Sequence, residues 1–286
     1  MERIAFTFWA GKEFSLLNLI SLLTFAKKNP EVSLIVYTVD DSFVFEKSTW
    51  ETGEQELEIT NKFTLFDLIK YSSGSNITIT PLDSNMYKDF MTSVHLADFI
   101  RIEKLYEHGG IWIDSDILFL KQLPHFFFDE SNQFNVTSYA NTIPTGILGS
   151  QRGGMMIARL YELALTERKQ LNARSPYQVL GPNLWAKLFS DNHLDMSGIN
   201  FFPPRLFYPY MWNEMHNFYD SSLGNRVGDD TYGIHWYNGN EASRRFINND
   251  LVNAFQGIQK NSPVEKVLNA LIQDCIIPHD LVFENR

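Results

Sequence analysis

The chain has a single cysteine, Cys275, among its 286 residues. No intrachain disulfide can form, a cysteine-built zinc site is excluded, and the redox reading is a reducing compartment. Basic residues are scarce too: 24 Lys and Arg stand against 34 Asp and Glu, a formal charge of −10. Nucleic acid needs clustered cations against its phosphates, so no nucleic-acid partner is expected. Any anionic ligand must be met locally, by a few basic groups, a helix N-terminus or a metal ion. Long apolar runs are also missing, because FSLLNLISLLTFA (14–26) is broken by Ser, Asn and Thr and is too short for a bilayer. The opening MERIAFTFWAGKEF puts no basic stretch ahead of an apolar one. A soluble, cytoplasmic protein with no transmembrane segment is the expectation, and peripheral membrane contact stays open. The N-x-T triplets at Asn76 and Asn135 are read as plain loop or strand residues.

What is present is a hydrophobic content of 44%, enough in a chain of this length for one large core. RIAFTFW (3–9) reads as a strand, FSLLNLISLLTFAKK (14–28) as a helix with lysines in its last turn, and VSLIVYTVD (32–40) as a second strand. Such a βαβ pattern predicts an α/β fold with a mostly parallel central sheet and helices on its faces. Residues 41–75 are polar and irregular, and a loop or helical insertion is expected there. NITITP (76–81) predicts a third strand. TSVHLADFIRIEKLYEHGG (92–110) predicts a long helix capped by Thr92 or Ser93 and stopped by Gly109 and Gly110, and IWID (111–114) the next strand. Past residue 120 the pattern loosens. Helices are predicted over 153–171 and 181–190, and the aromatic, proline-punctuated INFFPPRLFYPY (199–210) suits an irregular wall better than a central strand.

The chemistry concentrates in LYEHGGIWIDSDILFL (105–120), where Asp114 and Asp116 close an apolar run. In a strand, residues i and i+2 share a face about 6–7 Å apart, and a turn after Asp114 would also let them converge. Two carboxylates that close repel each other. A divalent cation between them removes the conflict, and oxygen donors suit Mg²⁺ or Mn²⁺. Ligands of open parallel sheets bind beyond the carboxyl ends of the strands, where this pair falls. Asp-Ser-Asp is also common in ordinary turns. Upstream, Asp98 and Arg101 share a helix face at i, i+3. They are either a surface ion pair worth about 0.2–0.5 kcal/mol or part of the same pocket rim, with Arg101 toward phosphate or sugar oxygens and Asp98 toward sugar hydroxyls.

The block ADFIRIEKLYEHGGIWIDSDI resembles the signature of DXD-containing sugar transferases of the GT-A fold. That group includes yeast-type α-mannosyltransferases, capsular polysaccharide transferases and the glucosyltransferase domain of clostridial toxins. FTFWAG (6–11), LGPNLW (180–185) and GIHWYNGN (233–240) are similar to other parts of that family. The resemblance implies a GT-A, Rossmann-like fold with a helical or irregular C-terminal part. It implies one domain over 1–286, in which 1–120 binds the nucleotide-sugar and 121–286 completes the site on the acceptor side. Trp9 would stack on the nucleobase, and Asp98 and Arg101 would hold the donor sugar. Asp114 would contact the ribose and the metal, and Asp116 the metal and the diphosphate. His235 would add a metal or diphosphate contact. Gly181 opens a helix whose N-terminus offers backbone donors to an anion.

The implied activity is a metal-dependent (Mn²⁺ or Mg²⁺), retaining hexosyl transfer from a nucleotide-sugar to a glycan, protein or other hydroxyl acceptor, as in polysaccharide biosynthesis. A UDP-sugar is favoured, and GDP-mannose stays open. The sequence departs from the family at Asn240 and Glu241, where a Ser-Trp pair is usual. Glu241 is a substitute oxygen ligand, or the loop is placed differently. The aromatic segment 199–219 is the expected acceptor wall. Two rivals stand beside this reading. IWIDSDIL resembles the haloacid-dehalogenase phosphohydrolase motif, with Asp114 as nucleophile, Asp116 as general acid/base and Asp229–Asp230 as a second acidic pair. The other rival is a protein that binds nucleotide-sugar without turnover.

Overall fold

The computed structural model describes the chain apart from residues 1–2, 41–42, 46–61, 73–75, 140–141, 173, 191–193, 223, 252–253, 255–260, 279–280 and 282–286. The first part contains β1 (Ile4–Trp9), β2 (Glu13–Ser15), α1 (Leu16–Lys28), β3 (Ser33–Thr38), β4 (Lys62–Thr64), α2 (Leu65–Tyr71), β5 (Ile77–Pro81), α3 (Ser84–Tyr87), α4 (Ser93–His108), β6 (Gly110–Ile113) and β7 (Ile117–Phe119). There follow β8 (Phe134–Val136), β9 (Ile147–Ser150), α5 (Met155–Arg168), α6 (Pro182–Phe189), β10 (Ile199–Phe201), α7 (His216–Tyr219), β11 (Gly233–His235), α8 (Glu241–Arg245) and a further helix, Pro263–Gln273.

Among the described residues the main sheet has 7 strands in the order β10-β8-β9-β6-β1-β3-β5. The pairs β1–β3, β3–β5, β1–β6 and β8–β10 are parallel, while β9 runs antiparallel to β6 and β8. The fold is thus the expected α/β architecture with a mostly parallel sheet flanked by helices. Its strands are apolar on both faces because both are covered. Ile111 and Ile113 of β6 enter the core shared with α1, whereas Trp112 between them enters the core shared with α4, α5 and α6. Each large side chain so buried contributes about 1.5–3 kcal/mol.

Helix α4 begins where expected. The Thr92 hydroxyl accepts the His95 N–H at 3.3 Å, capping the first turn. It ends at Gly109 (φ 70°) and Gly110 (φ 91°), and a Cβ at either would lie 2.5–2.6 Å from backbone atoms of Arg152 and Ile4. Only glycine allows the chain to turn there and run straight into β6. The consequence is functional: α4 and β6 are locked at one angle, and Asp98, Arg101 and Asp114 meet at the end of this unit away from the glycines.

Three expectations change. The helix expected from residue 14 starts at Leu16, because Glu13–Ser15 pair as β2 with β4 and the Ser15 side chain caps the helix. Residues 199–201 form an edge strand rather than irregular chain, and the prolines that follow start a short 3₁₀ turn, Pro204–Leu206. Of the insertion expected at 41–75, residues 46–61 lie outside the described residues, and β4 and α2 occupy 62–71. Asn135 is fully buried in β8, so its sequon is a strand residue, as expected. No helix among the described residues is long and apolar enough to cross a membrane.

Candidate active site

Asp114 follows β6 at the carboxyl end of the strand, and the chain turns through Ser115 and Asp116 before β7. The carboxylates therefore converge by a turn, not by strand alternation. Asp114 Oδ1 accepts from Trp112 Nε1 at 2.6 Å and from Arg101 Nη2 at 3.0 Å, and its backbone N–H donates to Gly146 O at 2.7 Å. Arg101 also donates from Nη1 to Asp98 Oδ1 and, at 3.0 Å, to Thr145 Oγ1, while its guanidinium lies 5.1 Å from the Trp112 ring centre. Asp98 and Arg101 are buried at 7% and 6% exposure, so they are no surface pair. One guanidinium serves two carboxylates. Burial pushes the Asp98 carboxyl up against the pull of Arg101, and the charge of Asp114 adds to the rise. Burial alone would favour loss of the Arg101 proton, but Asp114 and then Asp98 outweigh it and hold the cation. Removing Arg101 would leave the buried Asp98 and the partly exposed Asp114 without their cation.

Gly181 precedes α6, and a Cβ there would sit 2.9 Å from Asp98 Oδ2. No larger residue fits without moving the carboxylate. The acid nearest this helix N-terminus is thus Asp98, whose charge suits the positive end of the helix dipole.

Asp116 is held from the other end of the chain. Strand β11 pairs antiparallel with β7, setting His235 opposite Ile117. His235 Nε2 lies 2.9 Å from Asp116 Oδ1 and 3.9 Å from Asp114 Oδ2. Asp116 Oδ2 accepts the Asn238 N–H at 2.7 Å, and Asp116 O accepts the Trp236 N–H at 3.0 Å. Burial would raise the Asp116 carboxyl, but the His235 charge and these hydrogen bonds hold it below its usual range. Burial would likewise lower the His235 imidazole, yet the charge and hydrogen bond of Asp116, then the charge of Asp114, keep it above its ordinary value.

The imidazole packs edge-on to Tyr208 at 5.4 Å and lies 4.1 Å from the Tyr237 ring, and its Nδ1 is buried with no partner. A histidine serving only structure normally bonds through both nitrogens. Donor atoms of Asp114, Asp116 and His235 all lie within 4.8 Å of one another, and two carboxylates with one imidazole are a donor set that fits a divalent ion.

Helix α1 supports this turn with a polar stripe the apolar reading passed over. Asn18, Ser21 and Thr24, all at most 1% exposed, face the segment after Asp114. Asn18 Nδ2 donates to Ser115 O at 3.3 Å, Ser21 Oγ accepts from Trp236 Nε1 at 2.9 Å, and Thr24 Oγ1 accepts from Phe119 N at 3.0 Å. Three of the four polar breaks that spoil a membrane span thus support the site region at i, i+3, i+6 spacing. That periodicity was the available signal. Tyr237, also missed, sits in the left-handed region at φ 50°, which costs about 1–2 kcal/mol for such a residue. This conformation begins the turn that aims the Asn238 N–H at Asp116.

Trp9 ends β1 at the same sheet edge. β1 runs parallel to β6 with Phe6 paired to Trp112, so the two strands end toward the same edge. The half-buried indole donates to Glu13 O at 3.2 Å and meets Phe14 edge-on at 5.6 Å. Glu241 pairs with Arg245 on the exposed side of α8 and is absent from the acid–histidine cluster. Asn240 caps that helix through Ala242 N at 2.9 Å and donates from Nδ2 to Trp212 O at 2.8 Å. Asp229 and Asp230 lie on an exposed turn, with Asp230 bonded to Arg205.

Residues 75–152 match the family described as capsular polysaccharide synthesis protein, and residues 178–261 match the alpha 1,4-glycosyltransferase conserved region. The first match covers Asp98, Arg101, Asp114 and Asp116; the second covers Gly181 and His235. The resemblance carried by the Asp-x-Asp block is thus met on both sides of the site. No curated protein matches the chain in sequence. Among solved structures, the PaToxG glycosyltransferase is similar at 16% identity and TM-score 0.49, covering 68% of this chain and 69% of that one. The glycosyltransferase GlyE of Streptococcus pneumoniae is similar at 9% identity and TM-score 0.48; the match covers 96% of this chain and spans 64% of the GlyE chain. The galactosyltransferase LgtC, solved with donor and acceptor sugar analogues, is similar at 12% identity and TM-score 0.44, covering 86% and 94% of the two chains.

Proposed function

We propose that this chain is a metal-dependent, retaining hexosyltransferase. It moves a sugar from a nucleotide-sugar, a UDP-sugar first and GDP-mannose second, to a hydroxyl of a glycan or protein, within one domain over 1–286. The single observation that carries the reading is the cluster of Asp114, Asp116 and His235, assembled from one segment that matches the capsular polysaccharide synthesis family and another that matches the alpha 1,4-glycosyltransferase conserved region. The capsular description of the first match favours a glycan acceptor and a role in polysaccharide biosynthesis. The lone cysteine keeps the cytoplasm as the proposed compartment.

Asp116 and His235 would hold the metal ion, with Asp114 as the third donor. An imidazole nitrogen beside carboxylate oxygens favours Mn²⁺ over Mg²⁺, which prefers an all-oxygen shell. When bound, the ion would act as a Lewis acid on the departing diphosphate, an effect worth several kcal/mol. The chain does the positioning. Three acids stand against one guanidinium and a titratable ring, so the site repels a bare diphosphate and accepts a cation first. Arg101, with both terminal nitrogens engaged, works through Asp98 and Asp114 rather than on the donor directly. Asp98 keeps Oδ2 for a sugar hydroxyl beside Gly181, and Trp9 offers its ring to the nucleobase at the sheet edge. Retention rests on the family resemblance, and no residue is assigned as a covalent nucleophile.

The phosphohydrolase reading loses support here. Asp114 Oδ1 already accepts two hydrogen bonds, a poor state for a nucleophile, and the Asp229–Asp230 pair is committed to a surface turn. A thermal-shift panel of UDP-glucose, UDP-galactose, UDP-GlcNAc and GDP-mannose, each with and without Mn²⁺, tests the proposal, followed by donor hydrolysis in the best combination. Stabilisation and slow hydrolysis that need both nucleotide-sugar and metal are expected. Stabilisation without any turnover would leave a binding protein. Phosphate release from a simple monoester without nucleotide would restore the phosphohydrolase.

A further inference from the structure

Four tryptophans among the described residues are instructive as a set. Trp112, Trp185 and Trp236 are at most 1% exposed, whereas Trp212 is 51% exposed. Its backbone is nonetheless fixed, since Trp212 O accepts Asn240 Nδ2 at 2.8 Å. Its ring is fixed too. A Cβ on Gly239 would lie 3.3 Å from Trp212 Cη2, so the indole rests over a residue without a side chain, and the Tyr237 ring meets it at 5.6 Å and 78°. Tyr237 in turn lies 4.1 Å from the His235 ring. An aromatic ladder, His235 to Tyr237 to Trp212, thus leads from the acid–histidine cluster to solvent.

We propose that Trp212 is a stacking platform for a pyranose ring, and that this ring belongs to the acceptor. The word acceptor rests on the transferase reading above; the platform rests on the geometry alone. A pyranose presents one face of C–H groups and a rim of hydroxyls. The C–H face carries partial positive charge and suits the electron-rich face of an indole. Its hydroxyls need polar neighbours, and here the Asn240 amide reaches Trp212 O while Glu214, paired with Arg226, shares the Trp212 turn. A lipid tail would need a contiguous apolar patch, which these polar groups interrupt. The position also fits. Reacting atoms must approach to about 3–3.5 Å, so an acceptor ring must lie immediately outward of the sugar held at the acids. Trp212 stands outward of Tyr237, which flanks His235 directly. The left-handed conformation of Tyr237 gains a purpose, because it sets the ladder and the Asp116 contact in one turn.

Saturation-transfer NMR with the methyl glycosides of glucose, galactose, mannose and N-acetylglucosamine tests this without metal or donor. At least one glycoside should receive saturation through its ring C–H protons. Trp212→Ala should weaken that binding about tenfold or more, the loss of one stacked ring, and Trp212→Phe should retain most of it. Circular dichroism of both variants should match the wild type, since the side chain is half exposed. No engagement of any of the four glycosides by the wild-type protein, or equal engagement by Trp212→Ala, overturns the platform. UDP, GDP and Mn²⁺ binding measured on the same samples separates the two claims. Intact UDP–Mn²⁺ binding with no effect of Trp212→Ala on glycosides sinks the platform alone. Glycoside binding lost in Trp212→Ala, in a protein that binds neither UDP nor GDP with Mn²⁺, upholds the platform and sinks the transferase reading.

Discussion

Asp114 and Asp116 are separated by one serine, yet different parts of the chain hold them. Asp114 belongs to the α4–β6 unit, and its side-chain hydrogen-bond donors are close in sequence: Arg101 is 13 residues away and Trp112 two, while His235 stands off at 3.9 Å. Its partner is a permanent cation, itself shared with Asp98. Asp116 is held by the β11 loop, with the Asn238 N–H 122 residues away and the titratable His235 beside it. The contrast separates two tasks. The α4–β6 unit is an ionic frame built on the permanent cation of Arg101. The loop contact is a clasp through a titratable ring on the acid that, under the proposed function, changes partners when a cation arrives.

Breaking the frame should cost the fold, and breaking the clasp should cost the chemistry. Arg101→Ala, the largest effect, leaves Asp98 and Asp114 without their cation and should lower stability by about 3–5 kcal/mol, read from urea unfolding. An unfolding midpoint equal to wild type would show that the frame does not depend on this cation. Asp116→Ala should instead cut turnover by about 10²–10³-fold, the loss typical of one electrostatic stabiliser, while remaining folded by circular dichroism. Undiminished turnover in that variant, or in the wild type under chelator, would remove Asp116 from the mechanism. His235→Ala should weaken Mn²⁺ binding by about 10–100-fold in a calorimetric titration, the range that even outer-shell losses reach. Unchanged affinity would make the clasp purely structural. The smallest effect tests the scaffold behind both acids. Asn18→Ala removes the side-chain bond to Ser115 O and should cost about 0.5–1.5 kcal/mol, with a smaller loss of turnover than Asp116→Ala. A turnover loss equal to that of Asp116→Ala would mean that the turn, rather than the acids, limits the reaction.

The same contrast governs what could be read in advance. The strand-helix alternation, the Thr92 cap, the Gly109–Gly110 stop and the i, i+3 relation of Asp98 to Arg101 are local, and local periodicity carries them. The burial of that pair was not legible, because it depends on α6 bringing Gly181 against Asp98. His235 carried only the family resemblance, since a lone histidine near a tryptophan has no periodic signal. Asn18, Ser21 and Thr24 did carry one, at helical spacing, but an interrupted apolar run first reads as a failed membrane span. The edge strand at 199–201 was hidden by the prolines behind it, which end the strand without preventing it.

Taken by itself, the order of residues determined an α/β chain with a strand that delivers two acids to the open end of a sheet. Hydrophobic periodicity and turn chemistry act within a few residues, so they survive in one dimension. Only the tertiary structure decided which groups face those acids. The imidazole with one unpartnered nitrogen and the half-exposed indole beyond it come from segments more than a hundred residues past the guanidinium that serves two carboxylates. Their meeting depends on β11 pairing with β7, and strand pairing is a property of the folded whole.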